Sequence, residues 1–200
     1  MNDIAASLRH AYYMEDLNRI EVPPLLFAHR GGKADAPENT IEAFNLALLN
    51  GSNGLESDAQ VTECGNVVLH HDRKFGSLFK RKAIKRCELL HLPSSIPSLR
   101  DFYTEIDGDF DLSIDIKDSK AVEEILDISK EFLFPLEKLW LCHPDIEKIA
   151  LWRNLDETVR LVNSTTLEHV KEGPERRIAN LSEIGADAFN MHFSEWNEGR

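Results

Sequence analysis

Apolar positions along this chain follow two alternating rhythms. Short β-rich runs bounded by turn residues predict strands at 25–29 (LLFAH), 54–61 (GLESDAQV), 110–117 (FDLSIDIK), 139–143 (LWLCH), 158–164 (TVRLVNS) and 187–192 (DAFNMH). Between them, helical spacing marks 40–51, 98–106, 121–132, 145–154 and 176–185. A further run at 66–71 (NVVLHH) follows the turn residues Thr62-Glu63-Cys64-Gly65 and predicts a hairpin return onto 54–61. Strand and helix taking turns imply parallel strands with crossover helices, in a (β/α)8 barrel or an open doubly wound sheet. Both place chemistry at the carboxyl ends of the strands. Six main strands are readable, so an eight-stranded barrel, which takes ~250 residues, would be short by two units. Residues 1–24 carry Ile4, Leu8, Ala11, Tyr12 and Leu17 at helical spacing before Pro23-Pro24, predicting a helical extension that packs on a domain of residues 25–200.

Composition narrows the function. Two hundred residues with 42% hydrophobic content support one domain with a real core. Lys plus Arg number 23 against 35 Asp plus Glu, a net charge of -12, which excludes a field that gathers nucleic acid or an acidic membrane. An anionic substrate must be attracted locally. The one basic run, Lys80-Arg81-Lys82 with Lys85 and Arg86, reads as a solvated loop face that could recruit such a substrate. Cys64, Cys87 and Cys142 lack metal-ligand spacing and read as reduced thiols, mostly buried filler. The charged N-terminus and the lack of a membrane-length apolar run predict a cytoplasmic protein.

Alternation assigns the chemistry to faces. Glu56 and Asp58 share one face of their strand, with Leu55 and Ser57 on the other; Asp115 and Lys117 repeat the arrangement, with Ile114 and Ile116 opposite. Three carboxylates from neighbouring strands repel unless neutralised, and an all-oxygen set suits Mg²⁺ or Ca²⁺ rather than zinc. His29 and His71 end the first strand and the hairpin return and could serve as proton acceptor and donor, since histidine titrates near neutrality without special tuning. The Arg30 fork and the pliable Gly31-Gly32 backbone suit a phosphate. Thr40 or Asn39 caps the following helix. Glu38, Asn39 and Asp72 stand beside these groups as supports, Glu38 being expected to orient His29 or a metal-bound water. His70 is expected to face away from His71, while Trp140 and Trp152 are expected between helix and sheet. His143 and His192 stand at strand ends that could face the cleft.

HRGG, PENT, GLESD, VVLHHD, IPSL and IDIK, in this order over residues 28–117, resemble the glycerophosphodiester phosphodiesterase family. The second half is similar only in pattern. The resemblance implies a TIM-type barrel, here incomplete, with about six of eight strands present and the C-terminal two missing. It implies hydrolysis of a small-molecule glycerophosphodiester to glycerol 3-phosphate and an alcohol. His29 and His71 would be the acid/base pair, Arg30 and Lys117 phosphate contacts, and Glu56, Asp58 and Asp115 ligands to a divalent cation, Mg or Ca. The family mechanism runs through a cyclic phosphate formed by the substrate's own glycerol hydroxyl. Asp115 stands where the family usually carries Glu, one methylene longer, and Thr62-Glu63-Cys64-Gly65 replaces its usual T-x-D-G turn.

Other readings remain beside this one: a lysophospholipase D or phospholipase C-like phosphodiesterase, and an inactive remnant that only binds metal or phosphate. An unclosed barrel also exposes strand edges that invite self-association.

Overall fold

The computed structural model describes residues 24–77 and 80–196, so the extension expected over residues 4–18 lies outside the described residues. The elements run β1 (Phe27–Ala28), α1 (Ile41–Leu49), β2 (Gly54–Val61), β3 (Val67–Leu69), β4 (Lys74–Phe75), β5 (Lys82–Ala83), α2 (Leu99–Glu105), β6 (Asp111–Ile116), α3 (Ala121–Glu131), β7 (Leu139–His143), α4 (Ile146–Arg153), β8 (Arg160–Ser164), α5 (Pro174–Glu183) and β9 (Ala188–Asn190).

The main sheet has the order β1-β2-β6-β7-β8-β9, every neighbouring pair parallel, with β3 antiparallel on β2. Strands therefore follow one another without the reversal of order that defines a doubly wound sheet. The parallel strands curl into a half-barrel with helices, an incomplete TIM-type α/β barrel.

Alternation divides the sheet into two faces. Leu55, Leu112, Ile114, Leu139, Leu141 and Leu161 are fully buried and form one cluster with Phe44, Phe102, Ile125 and Ile149 of the helices. Each such side chain contributes roughly 1.5–3 kcal/mol through burial. Phe44 and Phe102 meet edge to face at 5.0 Å, joining α1 to α2. The other face is polar and carries Glu56, Asp58, Ser113, Asp115 and Cys142, with Asp58 opposite Asp115 and Asp115 opposite Cys142 in register. Trp140 belongs to this concave face, contrary to the expectation that it fills space under a helix. It alternates with Leu139 and Leu141, meets Phe27 at 6.0 Å, and donates from Nε1 to Asp111 at 2.6 Å. Trp152 is buried with the helix-side core as expected.

Caps define the helix starts that follow the site-bearing loops. Thr40, not Asn39, caps α1: its Oγ1 accepts from the Ala43 N–H. Ser98 and Asp101 form a reciprocal capping box on α2. The basic run is more ordered than a loop. Lys82 and Ala83 pair with Lys74 and Phe75, and Ile84 anchors the hairpin in a small cluster with Val68 and Ile96.

Candidate active site

β2 has two partners along one edge. β1 pairs with Gly54 and Leu55, then stops; β3 returns along Ala59–Val61. The ends of β1 and β3 are thereby brought to the carboxylates of β2. The His70 N–H donates to the Asp58 carbonyl at 2.8 Å, returning the chain to the level of the second carboxylate.

β1 is shorter than its apolar run because its exit is left-handed. Arg30, Gly31 and Gly32 have φ of 53°, 77° and 73°. At Gly31 no side chain fits, since a Cβ would lie 2.9 Å from the Ala43 Cβ. The turn aims the Arg30 N–H at Glu56 Oε2, 2.8 Å away. Both Glu38 oxygens accept from Arg30 Nη1 at 3.1 Å, so Glu38 holds the guanidinium instead of orienting His29. Arg30 Nε lies 3.4 Å from Asp58 Oδ2 as an ion pair and makes no hydrogen bond.

Asp58, only 2% exposed, is the hub. Lys117 Nζ is 3.0 Å from its Oδ1, and Asn39 Nδ2 donates to its Oδ2 at 3.1 Å. The Ser57 hydroxyl donates across to Asn39 Oδ1 at 2.7 Å, and the Asn39 N–H reaches the Arg30 carbonyl, so Asn39 links the HRGG turn to β2. Lys117 also contacts Asp115 Oδ2 at 2.5 Å. Burial alone would lower the Lys117 pKa, but its hydrogen bonds to Asp115 and Asp58 prevail and raise it.

Glu56 is the unrelieved member of the set. Burial, then repulsion from Asp58, push its carboxyl up to about 7, with Asp115 adding to the effect. His29 Nε2 lies 3.9 Å from Glu56 Oε2. Burial and the Arg30 charge hold that imidazole below its ordinary pKa.

His71 is positioned separately. Its Nδ1 is 3.0 Å from Asp72 Oδ1, Arg81 pairs with the other Asp72 oxygen at 3.0 Å, and Gln60 donates to the His71 carbonyl at 3.1 Å. The hydrogen bond to His71 lowers the Asp72 pKa, outweighing its slight desolvation. With Nδ1 on a carboxylate, Nε2 is the nitrogen left for chemistry. Among the described residues, no hydrogen bond or ion pair joins His71 to His29 or to the three carboxylates.

Three hard oxygen donors, one with a raised pKa, are what a divalent cation would relieve, so the donor chemistry of Glu56, Asp58 and Asp115 fits Mg²⁺ or Ca²⁺. Among the described residues no three acidic, His or Cys side chains stand at coordinating spacing, and Lys117 stands between Asp58 and Asp115.

Two histidines read as potential cleft residues have local roles. His143 is buried, accepts the Asp145 N–H through Nδ1, and meets Trp152 edge to face at 5.3 Å. His192 contacts Ser194 at 2.7 Å. Ser57, Gln60 and Arg81 escaped the sequence reading as supports. Alternation signals Gln60, on the face of Asp58, whereas the Arg81 pairing emerges only when β4 and β5 form.

Comparison with known proteins identifies the family and the fold. The family profile described as "Glycerophosphoryl diester phosphodiesterase family" matches residues 29–193. A glycerophosphodiester phosphodiesterase of Caldanaerobacter subterraneus is 31% identical over 131 residues, covering 55% of this chain and 54% of the relative. In the first curated relatives the matched stretch spans only 19% to 54% of their length. The crystal structure of a Thermotoga maritima glycerophosphodiester phosphodiesterase superposes with a TM-score of 0.72 at 24% identity, over 86% of this chain and 74% of that one. An Oleispira antarctica phosphodiesterase in complex with the product sn-glycerol-3-phosphate superposes with a TM-score of 0.71 at 20% identity, over 87% and 77%. These structural likenesses speak to the fold, and the profile match reaches from the histidine that opens the HRGG turn to the residues just past the last strand. The chain belongs to the glycerophosphoryl diester phosphodiesterase family.

Proposed function

We propose that this chain hydrolyses glycerophosphodiesters to glycerol 3-phosphate and an alcohol. One observation carries the reading: at the carboxyl ends of β2 and β6, two cations, Arg30 and Lys117, stand among three carboxylates, with the His29 imidazole 3.9 Å from Glu56. The Oleispira protein of similar fold holds sn-glycerol-3-phosphate as product, which supports the substrate class.

Arg30 and Lys117 bind the scissile phosphate and stabilise the charge that develops on it. The glycerol 2-hydroxyl attacks phosphorus while one imidazole, of His29 or His71, takes its proton. The bond from phosphorus to the departing alcohol breaks as the other imidazole gives that oxygen a proton. Water then opens the resulting five-membered cyclic phosphate, the two imidazoles exchanging roles. Asp72 engages His71 at Nδ1, which leaves Nε2 for proton transfer. Glu56, Asp58 and Asp115 would hold a divalent cation, which supplies Lewis-acid stabilisation of phosphoryl oxygens.

No helix of the described residues is long and apolar enough to cross a membrane. The free thiols Cys64, Cys87 and Cys142 suit a reducing compartment and support a cytoplasmic location.

The test is release of glycerol 3-phosphate from a series of soluble diesters, and from micellar lysolipid, by the full chain with Mg²⁺ or Ca²⁺. Turnover of soluble diesters is expected. Cleavage of lysolipid alone would favour the lipid-directed reading. No turnover by folded protein whose melting temperature the ion raises would leave a non-catalytic binder.

A further inference from the structure

Beside Lys117 a cleft of about 480 Å³ opens at the carboxyl ends of β2 and β6, in the size range of small-ligand sites. Arg73 and Lys74, Lys85 just past β5, and Lys148 on α4 line it together with Lys117; Asp118 is the one acidic residue in its wall. Five cations from four separate segments thus meet in a chain whose net charge is -12. Among the described residues, no carboxylate pairs with Arg73, Lys74, Lys85 or Lys148. Lys148 Nζ stands 3.4 Å from His143 Nε2, which does not neutralise it: burial first and the Lys148 charge second lower the pKa of that imidazole.

We infer that this cleft binds an anionic group, phosphate or carboxylate, carried by the alcohol half of the substrate. The inference rests on the glycerophosphodiester reading of the neighbouring site. Lys117 borders both places, touching Asp58 and Asp115 on one side and lining the cleft on the other. A glycerophosphodiester has two ester arms from phosphorus, and the glycerol arm is neutral. With the charge of the scissile phosphate met by Arg30 and Lys117, the charge that Arg73, Lys74, Lys85 and Lys148 recognise sits on the departing alcohol. A cationic headgroup such as choline would meet like charges from several sides of the cleft, so the same residues select against it. The overall negative charge repels a flat anionic surface and leaves a small anion in a recessed cleft as the fitting ligand.

The experiment measures kcat/KM of the full chain, at low ionic strength, for glycerophosphoinositol 4-phosphate, glycerophosphoglycerol and glycerophosphocholine. The phosphate-bearing substrate is expected to lead and the choline ester to trail by about tenfold or more, a difference of about 1.4 kcal/mol. The triple variant Arg73→Ser, Lys74→Ser, Lys85→Ser should lose most of the anionic-to-neutral ratio, and added salt should shrink that ratio in the wild type. Equal constants for the three substrates, or a ratio unchanged in the triple variant, would overturn the inference. Should no diester turn over, the hydrolytic reading fails on its own, and calorimetric binding of inositol 1,4-bisphosphate decides the cleft. Binding kept by His29→Ala and lost in the triple variant, with both melting like wild type, sustains it; binding equal in all three proteins overturns it.

Discussion

The floor of the strand ends and the rim beside it carry charge in opposite ways. On the floor, Asp58 is 2% exposed and its own charge is answered: Lys117 and Arg30 pair with it, Asn39 donates to it, and Lys117 reaches Asp115. On the rim, Arg73, Lys74, Lys85 and Lys148 line a cleft with no carboxylate partner among the described residues. Burial explains the contrast. A charge removed from water costs several kcal/mol unless its neighbours satisfy it, whereas a solvated lysine needs no partner. Floor charges are therefore part of the architecture, and rim charges are available to a ligand.

Substitutions can break the comparison at either end. The largest effect is expected on turnover: His29→Ala or His71→Ala should lower kcat roughly 100- to 10,000-fold with little change in melting temperature. Next comes the hub. Asp58→Ala leaves a void and takes the buried partner from Lys117 and Arg30, which keep only Asp115 and Glu38, and should cost about 3 kcal/mol in denaturant unfolding.

Asp156 sharpens the point away from the site. Its modest burial is outweighed by hydrogen bonds from the Thr158 hydroxyl and N–H and by Lys130, which hold its pKa down to about 2 against an ordinary 3.8. A depressed carboxylate stabilises the fold above its unfolded pKa and loses that contribution as pH falls through the folded one. Asp156→Ala should thus cost about 2 kcal/mol at neutral pH and flatten the stability loss on acidification toward the folded pKa. The smallest effect belongs to the rim: Lys85→Ala should change stability by less than about 0.5 kcal/mol.

Much of this arrangement is legible in the sequence. Alternation placed Glu56 with Asp58 and Asp115 with Lys117, because a strand's period of two leaves no freedom once Leu55 and Ile114 must face the core. The Thr62–Gly65 turn likewise produces the hairpin that carries His71 back, with Gly65 at φ 87°. What escaped depends on contacts between segments far apart in sequence. Nothing local tells Glu38 to grip Arg30 rather than His29; the left-handed Arg30 backbone decides it. Trp140 departs from expectation because tryptophan size suggests core filling, while its register with Ser113 puts it on the concave face. The basic run pairs with a distant segment, Lys74–Phe75, and Lys148 reaches the rim only because α4 packs on β7 and β8, next to the strand that leads into Lys117.

Phosphorus NMR of the full chain with Mg²⁺ or Ca²⁺ and one glycerophosphodiester, run beside the analogue lacking the glycerol 2-hydroxyl, tests the central claim most directly. The account predicts that glycerol 3-phosphate appears from the first while the analogue persists. Cleavage of both at equal rates, or of neither by folded, ion-bound protein, would contradict it.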